Sequence, residues 1–402
     1  MFKQFMLVLL VLTLLLGSGL LAVAHSDHGH DHDHEEHHQL SARIFAVNFA
    51  QNNLVYIDAP DNHVEGVVKL EPFTDVIVND AGRFIVAVDQ TTNRAQIYST
   101  GVFWQAHGDH FDLVANAPVG YWDFVIGNRP RFLSSNDDLV AVVNDRDYSV
   151  SVIRPESGVI VTVQAGGHGH PLLTGDYLAV ADRHYDLLDI YNIKELTRLA
   201  ALRIPKDPRG IVASGDLLWL ATSAGLKEVD LQLLTHSTLA IDWDTVPRHL
   251  IVHPKSLWVY GTNSNSVYAL NTNEQMIVEY AIPNAGLLAV DEEDHYVAVL
   301  TEAKDKIYMI DIGHGAPRLR NHFHLPQTVA GSVSDMVWVG GYLYVAGNQT
   351  IVVLDNQGAL ADSIELDTAV DKLLVATLSA VEHDHAHGHH DHGHHDHEHH
   401  DH

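Results

Sequence analysis

From Phe84 onward the chain repeats one figure: a dense apolar run, a short polar loop, and a second run that alternates apolar and polar residues. FIVAVDQTTNRAQIY (Phe84–Tyr98), LVAVVNDRDYSVSVI (Leu139–Ile153), YLAVADRHYDLLDIY (Tyr177–Tyr191) and LLWLATSAGLKEVDL (Leu217–Leu231) carry it in succession. SLWVYGTNSNSVYAL, YVAVLTEAKDKIYMI and YLYVAGNQTIVVLDN continue it. Period-two alternation rich in Val, Ile and Tyr, with Gly, Asn and Asp in the loops, reads as β-strands, and no long helical period interrupts them. The units recur at about 40 residues with four short strands each, the signature of a β-propeller.

The predicted fold is therefore all-β, a propeller of eight four-stranded blades, with seven blades or a pair of β-sandwiches as the alternatives. The central hairpins count seven units, and RIFAVNFAQNNLVYID with EGVVKL near the start makes an eighth that lacks an innermost strand. AVDKLLVATLSA (Ala369–Ala380) can supply that strand from the far end, so the ring is expected to close with strands from both termini.

Four segments follow: 1–24, 25–40, 41–381 and 382–402. The first reads as a secretory signal peptide, with Lys3, an apolar run from Phe5 to Leu16, and the small-x-small triplet Ala22-Val23-Ala24 before the expected cleavage point. No later segment is apolar for long enough to span a bilayer. The expected location is periplasmic or otherwise extracytoplasmic, with no membrane attachment after cleavage. There is no cysteine, so disulfides and thiolate metal sites are excluded. A formal charge of −29 argues against nucleic acid and anionic membranes as partners and suits cations.

Of the 32 histidines, seven fall in HSDHGHDHDHEEHH (His25–His38) and twelve in HDHAHGHHDHGHHDHEHHDH (His383–His402). Both stretches interleave imidazole with carboxylate and have almost no apolar residues, so both are expected to be disordered collectors of a divalent ion. His28, His30, His32, His34, His37 and His38 are the N-terminal candidates.

The body holds a more defined constellation. GGHGHP puts His168 and His170 in the loop entering the first strand of the fourth unit. Asp182 and His184 fall in that unit's loop between second and third strands. In a propeller those two loops share a face, and the glycines let the backbones approach. Three imidazoles and a carboxylate would make a tetrahedral N3O set suited to Zn²⁺. Asp89 and Asp145, at the position equivalent to Asp182, read either as turn-formers or as part of an electronegative face.

A second candidate is HGDH, with His107, Asp109 and His110. Strict topology puts it on the opposite face, although its unit is long enough for the loop to fold over. His249 begins an innermost strand on the face of His168. His314, His322 and His324 are weaker candidates, and His63, His236, His253 and His295 look incidental.

With its HGHDHDHEEHH run, its HGDH and GGHGHP motifs and its propeller repeat, the chain resembles the periplasmic zinc metallochaperones of the AztD type. The resemblance implies a non-enzymatic protein, acting as a monomer, that hands Zn²⁺ to the zinc-binding solute-binding protein of an ABC importer. It also implies a histidine and aspartate zinc site and a mobile His/Asp tail that feeds or releases it. Two rivals remain: a lactonase-like propeller metallohydrolase, and an interaction scaffold with zinc-buffering tails.

Overall fold

The computed structural model describes residues 42–378 except 108–109, 166–168, 183–184, 205–207, 240, 242–245, 248, 253–257, 263–264, 273, 275, 292–295 and 314–315. The side chains of 106–111 and of 258 also lie outside the description. The signal segment, both histidine-rich tails, His168, His184, Asp109 and His314 therefore fall outside the described residues.

The described strands make eight four-stranded antiparallel sheets and one two-stranded hairpin. The innermost strands, from blade 1 to blade 8, are Lys372–Ala376, Asp75–Val78, Pro130–Ser135, Gly169–Thr174, Gly210–Ser214, His249–Val252, Ala285–Val290 and Val333–Val339. Each touches its neighbour all the way round, blade 8 against blade 1 included. The eight-bladed ring predicted from the repeat is what forms.

Burial within a blade explains the sequence figure. The second strands, such as Phe84–Asp89 and Tyr296–Thr301, are buried on both faces because a blade packs on either side. Outermost strands such as Gly120–Val125 and Arg318–His324 are mostly exposed, and there the polar alternation returns. Each of the eight interfaces between neighbouring blades carries its own apolar cluster. Blades 3 and 4, for example, join through Ala141, Val143 and Val150 against Leu178 and Val180. At ~1.5–3 kcal/mol per fully buried aliphatic side chain, these wedges dominate the cohesion of the ring.

Blade 1 is assembled from both ends of the chain. Ala42–Asn48, Asn53–Ala59 and His63–Lys69 supply its outer three strands, and Lys372–Ala376 is the innermost. Five residue pairs join them, from Arg43 opposite Ala376 to Val47 opposite Lys372.

Two rims follow from the topology. The incoming rim carries the starts of the innermost strands and the turns between second and third strands. The outgoing rim carries the turns between first and second strands and the connections from third to fourth. The long connection in blade 2 forms the hairpin Val102–His107 with His110–Ala115, rooted on the outgoing rim. Arg43, 1% exposed, holds that root. Its guanidinium donates to both carboxylate oxygens of Asp58 at 2.6 and 2.9 Å, to Thr100 O at 3.2 Å and to Asn116 O at 2.5 Å. Gly101, at φ +79°, lies so close that a Cβ would stand 2.0 Å from Asn116 O, so only glycine fits there.

Arg43→Ala would leave a largely buried Asp58 without its cation. We expect a loss of about 3 kcal/mol, read as a lower urea midpoint. Truncation before Ala369, which removes the innermost strand of blade 1, should abolish a single cooperative unfolding transition.

Candidate functional site on the rim of blade 4

Blade 4 opens with Gly169–Thr174, paired antiparallel to Tyr177–Asp182. Gly169 stands directly opposite Asp182, and His170 opposite Ala181. The segment bearing His168 and His170 and the segment bearing Asp182 and His184 therefore leave the sheet at one point of the incoming rim. Glycine is required at the crossing, since a Cβ on residue 169 would come within 2.6 Å of Ala181 O and 2.9 Å of Val180 Cγ1. This is the local reason for a glycine between the two histidines.

Strand alternation sends the His170 and Asp182 side chains to opposite faces of the sheet. The two residues share a rim but are separated across the blade. The Asp182 side chain is buried at 1% exposure, and its Oδ1 accepts the Tyr185 N–H at 3.0 Å, which shapes the turn that contains His184. The His170 ring packs against Phe132 of blade 3, centroids 4.5 Å apart, and faces the central cavity. Phe132 in turn lies 4.2 Å from the Arg131 guanidinium carbon and sits in a register shift of its strand at φ +56°. Nothing in the local pattern RPRFLSS marks Phe132 as the neighbour of His170, because the contact comes from the next blade.

The equivalent aspartates resolve differently. Asp89 accepts from the backbone and hydroxyl of Thr91 at 3.1 and 2.5 Å and of Thr92 at 3.0 and 2.6 Å. Burial pushes its carboxyl up, but those hydrogen bonds outweigh it and hold the group below its ordinary value. Asp145 lies 3.4 Å from Arg129 and 3.5 Å from Arg131. Asp89 is thus a turn-former and Asp145 an ion-pair partner, and neither presents a bare negative face.

The backbone of the HGDH hairpin runs out from the outgoing rim, so its root and the Gly169–Asp182 crossing lie on opposite rims. Asp109 and the side chains of His107 and His110 lie outside the description. Arg43, at the hairpin root, is the second residue of the described chain, and Gly82 of the neighbouring turn abuts Thr377 near its other end. Both described chain ends and the hairpin root thus lie close together on one rim, a coincidence that no sequence spacing announced. His249 opens the innermost strand of blade 6 on the incoming rim, exposed, with blade 5 between it and blade 4. His322 and His324 lie on the outermost strand of blade 7, and His322 packs on Tyr308 at 5.1 Å. Among the described residues no group of three His, Asp or Glu side chains is close enough to hold a metal ion. Among them, too, no helix is long and apolar enough to cross a membrane.

No protein-family model matches the sequence, and no curated protein does. Solved structures do. Apo AztD from Citrobacter koseri superposes with a TM-score of 0.71 at 16% identity, over 85% of this chain and 99% of that one. A further structure of Citrobacter koseri AztD gives 0.69 at the same identity and coverage. Dihydro-heme d1 dehydrogenase NirN in complex with DHE gives 0.65 at 12% identity, over 83% of this chain and 75% of that one. At these identities the shared property is the fold, and this chain is built on the same propeller as AztD.

Gly169→Ala should cost about 1–3 kcal/mol in chemical unfolding, since the obstacle is backbone rather than a flexible side chain. Asp182→Asn should stay within ~0.5 kcal/mol because an amide oxygen still accepts the Tyr185 N–H, whereas Asp182→Ala should lose about 1 kcal/mol.

Proposed function

We propose that this chain is an exported zinc metallochaperone. It collects Zn²⁺ on its histidine-rich tails, holds it on the rim of blade 4 through His168, His170, His184 and Asp182, and passes it to the zinc-binding solute-binding protein of an ABC importer. The observation that carries the reading is the Gly169–Asp182 register, which makes two ligand-bearing segments leave the sheet at one point. The tails, the absence of cysteine, the charge of −29 and the fold shared with AztD all agree with it.

In this proposal residues 1–24 direct export and are removed, and 25–40 and 382–402 are the collecting segments. The two tails flank the described chain ends beside the root of the HGDH hairpin. His107, Asp109 and His110 would therefore form a second collecting site within reach of both tails, with the blade 4 site on the far rim. The C-terminal tail, fully extended, reaches on the order of 70 Å, enough to carry an ion from one rim to the other at high effective concentration. His249 would be an auxiliary ligand on the acceptor side. Transfer proceeds by ligand exchange, an acceptor imidazole displacing a donor one before the ion is free. Net flow requires the acceptor to bind more tightly.

Calorimetry on the chain lacking both tails tests this. One tight zinc site per chain should survive, and His168→Ala or His184→Ala should weaken it at least ~10-fold. Loss of all tight binding on tail removal would leave only an inert body with buffering tails. Because His170 and Asp182 leave the sheet on opposite faces, comparing His170→Ala with Asp182→Ala shows on which face the ion rests. Affinity should also fall between about pH 7.5 and about pH 5.5, because ligand imidazoles must be unprotonated and titrate near an ordinary value of about 6.5.

A further inference from the structure

The innermost strands of blades 2 to 5 line a cavity of about 740 Å³ beside the axis. Its mouth lies on the outgoing rim, at the turns that follow those strands. The turns are stitched from blade to blade. Asn79 Nδ2 donates to Asp137 O at 2.6 Å, and Ser135 Oγ donates to Asp80 Oδ1 at 2.5 Å. Asn136 Nδ2 donates to Gly175 O at 3.3 Å, and Thr174 Oγ1 donates to Gly215 O at 3.1 Å. Two carboxylates, Asp80 and Asp137, are thereby held at the mouth on adjacent turns.

Desolvation pushes the Asp80 carboxyl above its ordinary value, the Ser135 hydroxyl draws it back, and the charge of Asp137 adds to the rise. That crowding of like charge is relieved by a cation. Deeper in, the wall is hydrocarbon, with Ile77, Leu133, Leu172 and Ile211. No Lys or Arg is among the described lining residues. The nearby cations are engaged elsewhere: Arg83 lies 3.6 Å from Asp138, and Arg131 stacks on Phe132. Lys372 lies 3.5 Å from Asp75 and donates to Val76 O at 2.8 Å.

A carboxylate mouth alone would suit a metal ion, and a hydrocarbon wall alone would suit any apolar molecule. The two in sequence select a ligand with a cationic head and an apolar body. We propose that this cavity binds a small organic amine, its ammonium between Asp80 and Asp137 and its hydrocarbon along Ile77, Leu172 and Ile211. The site is independent of the zinc reading, since it uses other residues and opens on the other rim.

Calorimetry on the full-length chain with hexylamine, hexanol and hexanoate tests the proposal. Hexylamine should bind saturably, one per chain, and tighten by up to about 4-fold for each methylene added from butylamine to hexylamine. Hexanoate should bind at least ~10-fold more weakly. The Asp80→Asn/Asp137→Asn double variant, altered only at surface turns, should lose about 10-fold for hexylamine and nothing for hexanol. Ile211→Trp, which fills the cavity, should remove hexylamine binding in protein whose thermal unfolding is unchanged. Equal affinity for hexanoate, no gain with chain length, or an unaffected double variant would each overturn the proposal. So would Zn²⁺ displacing hexylamine one for one with zinc binding lost in the double variant, which would make the mouth a metal site. Retention of tight zinc in the double variant, alongside loss of the amine, supports the amine site and leaves the blade 4 reading to its own test.

Discussion

The antiparallel ladder between Arg43–Val47 and Lys372–Ala376 is the constraint on which everything else depends. It joins residues more than 300 positions apart, so it must overcome the loop-closure entropy of nearly the whole chain. Short supports surround it. The Asp371 N–H donates to Val47 O at 2.8 Å, Asn48 Nδ2 donates to Ala369 O at 2.7 Å, and the Leu373 N–H donates to Asp335 at 2.9 Å. Without the ladder, blade 1 would present a bare second strand to the axis, and blades 8 and 2 would lose the partner against which their clusters pack.

Closure also decides where the chain ends lie. Because the pairing is antiparallel, the start of the N-terminal strand and the end of the C-terminal one share the outgoing rim. The same rim carries the root of the blade 2 hairpin, held by Arg43 from within the closing ladder. One buried cation thus links ring closure to the position of a metal-binding motif. The cost of desolvating it is offset by four hydrogen bonds and the facing ring of Tyr56, 4.8 Å away.

The interfaces between blades are apolar, so polar chemistry is confined to the rims and the axis. On the incoming rim each blade reuses one position after its second strand. Asp89 spends both oxygens on its turn, Asp145 faces two arginines, and Asp182 shapes a turn that carries a histidine. The position is architectural first, and blade 4 differs through what surrounds it: a glycine-flanked histidine pair on the adjoining strand. Along the axis the same economy leaves a cavity walled by four blades, with charge only at its mouth.

Most of the architecture was legible in the sequence because strand burial and turn chemistry are local. Period-two runs, Asp and Asn turns and a 40-residue recurrence are each set by near neighbours, and the unmatched eighth unit pointed to Ala369–Ala380 as its missing strand. The concentration of imidazole in two tails and in GGHGHP is equally a property of the chain itself. Tertiary structure alone decided which surfaces meet. It placed HGDH and GGHGHP on opposite rims, turned His170 away from Asp182 across the sheet, and set Phe132 of one blade against His170 of the next. It also brought Arg43 to the hairpin root and gathered Asp80 and Asp137 at one mouth. Those relations depend on register and on packing between segments tens to hundreds of residues apart, where a shift of one residue moves every side chain to the other face and no local pattern records the choice.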